Sequence, residues 1–456
     1  MADDGGTEDL PQPFDAKKLE PAKKRQRSTS PSEQPRKLKR PGQRARISSN
    51  EAAAIRKRHE QRERESAQQA HVLEQRGIND IVRQHYNAVP ERGRDWRKTG
   101  SRIKGLRVFN NWVKSTLIQK FSPDEDHTPG AQQQGHDMAG AQGHELIVLD
   151  IGCGKGGDLG KWQQAPQRVQ LYVGLDPADI SIDQAKDRYR SMGSQGGGRG
   201  GRGGYRGGHR GGRQQQHLFD ARFLVKDCYG ESLDDIDIVR QVGFDPSPMG
   251  RSGFDIVSMM FCMHYAFETE DKARMMLQNV SSALKKGGRF IGCIPNSDVI
   301  SDRVTKFNDR ITNKKEDAAE EGEEPSEDKE EGEAEETAEW GNGLYRVRFP
   351  GKTPEDGIFR PPFGWKYNFF LDEAVEEVPE YVVPWEAFRA IAEDYNLELQ
   401  YHQRFRDIWE LEKDDHILGP LSERMGVRGR GRGPLLVSPE EMEVANFYVA
   451  FCFYKV

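Results

Sequence analysis

The 456 residues carry 68 Lys/Arg against 74 Asp/Glu, a formal net charge of −6, with 35% hydrophobic and 31% charged residues. That length allows one large domain or two average ones. The N-terminus lacks the apolar core of a signal peptide, and no run approaches the ~18 apolar residues of a membrane span, so the sequence reads as soluble.

Residues 1 to about 75 are rich in Gln, Glu, Arg, Lys, Ser and Pro and almost lack aromatic residues, a composition that cannot bury a core and reads as disordered. Residues 16–64 hold 17 Lys/Arg against 5 Asp/Glu. Two basic clusters, AKKRQR (22–27) and PRKLKRP (35–41), have the spacing of a nuclear localisation signal. Generic attraction to polyanions is the plainer role of the same lysines.

A domain is expected over residues 76–456. Leu106, Phe109, Trp112, Val113, Leu117 and Ile118 fall at helical spacing and predict an amphipathic helix of about four turns. Asn110 and Lys114, four apart, share one edge of it. After a Gln/Gly-rich loop, strands and helices alternate. LIVLDIG (146–152), LYVGLD (171–176), ARFLVKD (221–227), FDIVSMMFCMHY (254–265) and GRFIGCIP (288–295) read as strands. YNLELQYHQRF (395–405) and NFYVAFCFYKV (446–456) complete the series, with a helix from Pro384 to Glu393. Apolar strands alternating with helices mean an α/β fold with a largely parallel sheet covered on both faces.

Two low-complexity inserts interrupt this pattern, at about 192–216 and 313–339. The first, SQGGGRGGRGGYRGGHRGGR, reads as a surface-loop expansion; its competing role is to clamp RNA, with arginines on phosphates and Tyr205 stacking on a base. The second holds 14 acids and 3 lysines over 314–339 and reads as a solvated loop, with repulsion of nucleic acid as its competing role. The five cysteines are scattered without a C-x-x-C, so no zinc knuckle or disulfide framework is suggested, and buried reduced thiols are expected.

The stretch IVLDIGCGKGGDLGKW (147–162) contains G-x-G-x-x-G at Gly152, Gly154 and Gly157. A P-loop is excluded, because Leu149 stands where its first glycine is required and Gly156 where Ser or Thr must follow the lysine. A dinucleotide fold is the nearer rival, since Asp176 ends the second strand where a ribose-binding acid belongs. Asp150 and Asp158 flank the loop, however, and carboxylates there oppose a pyrophosphate. S-adenosylmethionine, with its sulfonium and ammonium groups and no phosphate, suits this loop better. The glycines admit a close backbone approach, Asp176 can take ribose hydroxyls, and Asp227 can reach the adenine amino group.

LRVFNNWVKS (106–115), VLDIGCGKGGDLGKW (148–162), FCMHYAFE (261–268), IGCIPNS (291–297) and VPEYVV (378–383) together resemble the eukaryotic mRNA cap guanine-N7 methyltransferases, with a fungal cast. The resemblance covers about residues 80–456 apart from the inserts. It implies a class I S-adenosylmethionine-dependent methyltransferase fold, Rossmann-like, with a mostly parallel seven-stranded sheet. It implies methyl transfer to N7 of the guanosine cap of nascent RNA, in the nucleus, with 5′-capped RNA as partner and recruitment to the capping and transcription machinery. The methyl donor would be bound by Lys114, Gly152, Asp176, Asp227 and Tyr265. Met260 joins them with a departure: the family commonly has glutamine there, so a backbone contact survives and a side-chain bond does not. The cap would be held by Asn110, Asn111, Lys155, Lys161, Arg188, His264, Glu380 and Tyr448, with the basic residues facing its triphosphate. No metal is implied. A silent RNA-binding scaffold on the same fold is the rival from another class, argued by the Arg/Gly tract and basic tail. A nucleotide-dependent dehydrogenase is the third.

Overall fold

The computed structural model describes residues 78–88, 96, 99–123, 144–194, 218–244, 253–320 and 336–456. The basic tail, its two clusters, most of the Gln/Gly-rich loop, nearly all of the Arg/Gly insert and the later part of the acidic run lie outside them. In chain order, helices α1 (Ile78–Ala88) and α2 (Lys104–Phe121) precede β1 (Leu146–Ile151), the one-turn α3 (Leu159–Trp162), β2 (Val169–Asp176), α4 (Asp179–Ser194) and β3 (Asp220–Val225). Then come β4 (Phe254–Met260), α5 (Glu270–Ala283), β5 (Leu284–Pro295), α6 (Ser297–Glu320), β6 (Glu339–Gly341), β7 (Tyr345–Arg348), β8 (Lys366–Leu371) and β9 (Val375–Tyr381). The chain closes with α7 (Trp385–Asp394), β10 (Leu397–Arg404), α8 (Phe405–Glu412), α9 (Leu418–Met425), α10 (Pro439–Ala445) and β11 (Tyr448–Lys455).

Seven strands form one sheet in the order β10-β11-β5-β4-β1-β2-β3. β11 runs antiparallel to β10 and β5, and the other neighbours are parallel. β1 is buried at all six positions, as a central strand covered on both faces must be, and its apolar run has no polar alternation. The strand ends that carry Gly152, Asp176 and Phe261 all lie on the carboxyl edge, where open α/β sheets bind ligands. The α/β expectation and the seven strands are borne out. All five cysteines are free and buried. Among the described residues no helix is long and apolar enough to cross a membrane.

Three readings need correction. FDIVSMMFCMHY is not one strand: β4 stops at Met260, Phe261 takes a left-handed φ of 66°, and Met263–Glu268 coil into a tight helical turn. A continuous apolar run does not reveal its own bend. The acidic run is helical at its start, because α6 continues to Glu320. The third is an omission. β6, β7, β8 and β9 form a separate, wholly antiparallel sheet between α6 and α7.

Helix α2 is the element on which the site depends. Its apolar stripe is 0–1% exposed from Leu106 to Ile118, and the Trp112 indole N–H donates to Leu418 O at 3.0 Å. Its first turn has no side-chain cap of its own. Instead Glu441 of α10 accepts from Leu106 N at 3.0 Å, while its other oxygen accepts from Ser438 N at 2.9 Å. One buried carboxylate thus satisfies two helix starts, and it sits so close to Gly105 that a Cβ there would meet it at 2.3 Å. Glu441→Ala is expected to lower stability by about 1–3 kcal/mol in chemical denaturation, since it leaves buried N–H groups unpaired.

Candidate functional site

The loop after β1 opens a cavity of about 600 Å³, floored by Gly152, Gly154 and Asp176 and walled by Met260, Phe261, Cys262, Tyr265 and Tyr229. Gly152 has φ +70°, and a Cβ there would meet Cys262 Sγ at 2.5 Å. At Gly154, φ +52°, a Cβ would meet nothing within 4 Å, so the backbone lies bare to the cavity. Asp176 accepts from Gly154 N at 2.9 Å and Ala178 N at 2.8 Å, which fixes its carboxylate toward the cavity. Burial pushes that carboxyl above its usual range, against the two N–H groups that favour its charge. Over the opening, Tyr86 of α1 meets the Tyr265 hydroxyl at 3.2 Å, and Glu373 and Ala374 of the β8–β9 turn close the far side.

Behind the loop sits a buried charge cluster. Asp158 accepts from Lys114 at 2.7 Å on one oxygen and from Lys161 at 2.7 Å on the other. Lys161 also donates to Asn111 Oδ1 at 2.7 Å. Burial works to raise the Asp158 carboxyl, but the two ammonium groups win and hold it well below the usual range. Burial works to lower Lys114, and Asp158 outweighs it, leaving that ammonium above its ordinary value. Lys161 is lowered by burial, with Lys114 opposing its charge and Asp158 supporting it. Asp150 accepts from the Tyr172 hydroxyl at 2.6 Å and is pushed up to about 7, by burial first and then by Asp158. The acids that flank the glycine loop therefore do not face a ligand as bare anions. Asp158 is neutralised within the protein, and Asp150 faces Tyr172. The sequence argument against a pyrophosphate rests better on α3, which at four residues is too short to offer a helix dipole.

A third group lies where the two sheets meet. The register of β8 and β9 sets Tyr367 opposite Glu380, so their side chains share a face, and the tyrosine hydroxyl donates to Glu380 Oε2 at 2.8 Å. The other carboxylate oxygen stands 3.5 Å from His264 Nε2. Glu380 is 5% exposed and His264 2%, and neither ring nitrogen of the histidine has a hydrogen-bond partner. Tyr448, at the start of β11, packs edge-on to Phe261 with ring centres 4.9 Å apart. A buried carboxylate beside an unpaired imidazole is costly unless a polar ligand satisfies both.

The structure brings Gly152, Asp176, Met260, Tyr265, Lys155 and Asn111 together on the wall of one cavity. Lys114 stands behind the wall in the Asp158 cluster. Asp227 lies two residues past β3 and accepts from Tyr229 N at 2.9 Å, outside the cavity lining. Lys161 has committed its donors to Asp158, Asn111 and Gly157, and Arg188 donates to Gly156 O at 3.2 Å. Asn110 does not line the cavity, and its buried Oδ1 has no partner. Met260 keeps its sulfur on Cys293 Sγ at 3.7 Å. Sequence reasoning missed Tyr86, Arg107, Tyr229, Glu373 and Tyr367. Arg107 sits inside the LRVFNNWVKS motif and Tyr229 two residues past Asp227, so both lay within segments already singled out; Tyr86, Tyr367 and Glu373 come from segments that meet the loop only in three dimensions.

Sheet order, glycine loop and strand-end acid together define a class I S-adenosylmethionine-dependent methyltransferase. A family model described as the mRNA (guanine-N(7))-methyltransferase domain matches residues 69–456, and the chain belongs to that family. Curated relatives, each named mRNA cap guanine-N(7) methyltransferase, include one from Pyricularia oryzae that is 66% identical over 97% of this chain and 91% of its own. Another from Aspergillus clavatus is 58% identical over 94% and 79%. One from Schizosaccharomyces pombe is 40% identical over 82% of each chain.

The raised Asp150 carboxyl has a measurable consequence. Between about pH 4, the unfolded value, and about pH 7 the folded protein binds the extra proton. That stabilisation is complete below the unfolded value and is lost as pH rises through the folded one. Asp150→Asn, which keeps an acceptor for Tyr172, should remove this decline from a urea-denaturation series over that window. An unchanged pH slope would contradict the assignment.

Proposed function

We propose that the protein transfers a methyl group from S-adenosylmethionine to N7 of the guanosine cap at the 5′ end of nascent mRNA. The cavity residues fit the donor: the bare backbone at Gly154 admits a flat ligand, and Asp176 offers a fixed acceptor to ribose hydroxyls. Gly152, Met260 and Tyr265 would hold it from the wall, with Lys114 and Asp227 acting from beyond. S-adenosylmethionine supplies the activated methyl group when bound.

The observation that carries the cap reading is the Glu380–His264 pair. The Watson–Crick edge of guanine presents two donors, N1–H and the 2-amino group, beside one acceptor, O6. A carboxylate with one oxygen anchored by Tyr367, next to an imidazole whose nitrogens make no hydrogen bond, offers the complementary acceptor and donor. Guanine N7 has a lone pair and no proton to lose, so no general base is required. Catalysis then rests on alignment, where orientation can supply ~7–11 kcal/mol, and on Glu380 favouring the positive charge that the ring acquires. Tyr448 would border the base. Asn110, with an unpaired buried oxygen, and Asn111 would complete the pocket. Lys155 and Arg188 would meet the triphosphate, and Lys161 would add its charge from within the Asp158 cluster. Recruitment to the capping and transcription machinery follows from the same reading.

Incubation with GpppG-capped RNA and labelled S-adenosylmethionine tests the activity directly. Glu380→Ala should cut transfer by about a hundredfold or more, while donor binding stays measurable by calorimetry. Label at guanine N7 undiminished in that variant would refute the role of Glu380. The two basic clusters support a nuclear location. A fluorescent fusion lacking residues 1–75 should be excluded from the nucleus yet keep its turnover in vitro, and normal import would disprove the signal.

A further inference from the structure

Farther along the same face of α2 lies a second cavity, of about 320 Å³, whose glycines, glutamines and α9 residues have no use in the proposed reaction. The two share Val108 and Asn111, the residues of α2 at which one cavity adjoins the other. Its base is the loop after β1, and its far wall is α9. Three properties define what it can accept. Gly157 and Gly160 present open backbone, because a Cβ on either would meet nothing within 4 Å. Opposite them Leu421 and Met425, four apart on α9, form an apolar wall in which the unbranched methionine can adapt to rings of different size. At the rim Gln164 donates one N–H to Gly160 O at 3.0 Å, and Gln119 donates one to Gln164 O at 2.9 Å. Each amide keeps a carbonyl oxygen and a second N–H, and so can either donate or accept.

The sole charged side chain on this wall is Lys161, which joins the cavity to Asn111 and so to the donor side. A cavity of open backbone and adaptable apolar surface, edged by ambivalent amides and bordered by a lysine, suits a nucleoside attached to a phosphate chain. It has no feature that would select one base. We infer that this cavity is the subsite for the first transcribed nucleoside, the one joined to the cap guanosine through the triphosphate. The inference rests on the cap reading, which places the triphosphate over the glycine loop between the two cavities. The enzyme then grips its substrate at two places along one face of α2, and a cap attached to a transcript binds better than a free guanosine triphosphate.

The test compares two ligands with the full-length protein. GpppA contains the second nucleoside, whereas GTP has the guanine and triphosphate without it. Gln164→Ala, at an exposed position, and Met425→Trp, which fills the cavity, should each raise KM for GpppA about tenfold. The inhibition constant of GTP, as a competitor of GpppA, should stay within about twofold, the range that separates it from a tenfold loss. Calorimetric binding of S-adenosylmethionine reports that each variant is folded. A parallel rise in both constants, or no change in either for both variants, overturns the subsite. A wild-type protein that methylates neither GpppA nor capped RNA refutes the cap reading itself, an outcome distinct from selective failure of the variants.

Discussion

The Asp158 carboxylate, shared between Lys114 and Lys161, is the interaction on which the rest of the site depends. It ties the loop after β1 to the middle of α2, and so links the floor of the donor cavity to its lateral wall. Two cations on one buried anion leave an excess charge, and a pair of this kind is tolerable only with further acceptors in place. Asn111 and Gly157 supply them to Lys161. The cluster thereby fixes the Asn111 side chain, which borders both cavities. The Glu441 cap at the start of α2 and the Trp112 bond to Leu418 hold the same helix from its other sides. Three separate chain segments thus specify the position of one helix.

The second structural decision is the insertion of an antiparallel sheet after α6. A parallel sheet exposes only its carboxyl edge to ligands, and here that edge is taken up by the donor loop, Asp176 and the Phe261 turn. The small sheet brings Glu380 in from outside, with Tyr367 opposite it in register, and lays the pair against His264. Its β8–β9 turn also supplies Glu373 and Ala374 to the donor cavity, and Glu373 is held by the Ser101 hydroxyl and Arg102 N. One inserted element therefore serves both halves of the site, which explains how a donor and an acceptor of unlike chemistry come to lie side by side.

Electrostatics in the loop follow from that division. Sequence reading took Asp150 and Asp158 as anions facing a cationic ligand and the lysines as partners for a second, phosphate-bearing one. The structure pairs most of these charges with one another. Asp150, its carboxyl pushed up to about 7 by burial and by Asp158, is turned to Tyr172. Asp176 remains as the carboxylate set in the cavity floor.

The sequence by itself determined the class of fold and the family. Uninterrupted apolar runs such as LIVLDI can be stable only inside a covered parallel sheet, and the α2 stripe from Leu106 to Ile118 repeats with the helical period. Both are local properties, set by hydrophobic spacing along a single segment. It also supplied Gly152 and Asp176, because glycine and strand-end acids are tied to a loop geometry that a short motif encodes, whereas Tyr265 came only through the family resemblance. Only the tertiary structure decided the state of each charge and the partners of each polar group. Phe261 ends β4 with a left-handed residue that no apolar pattern announces, and Tyr86 meets the site from hundreds of residues before the segment that carries Tyr367 and Glu373. The field at a carboxylate depends on burial and on neighbours within a few ångströms, and chain position does not report either. That is why Asp158, which reads as a ligand-facing acid in the sequence, became the buried clasp of the fold.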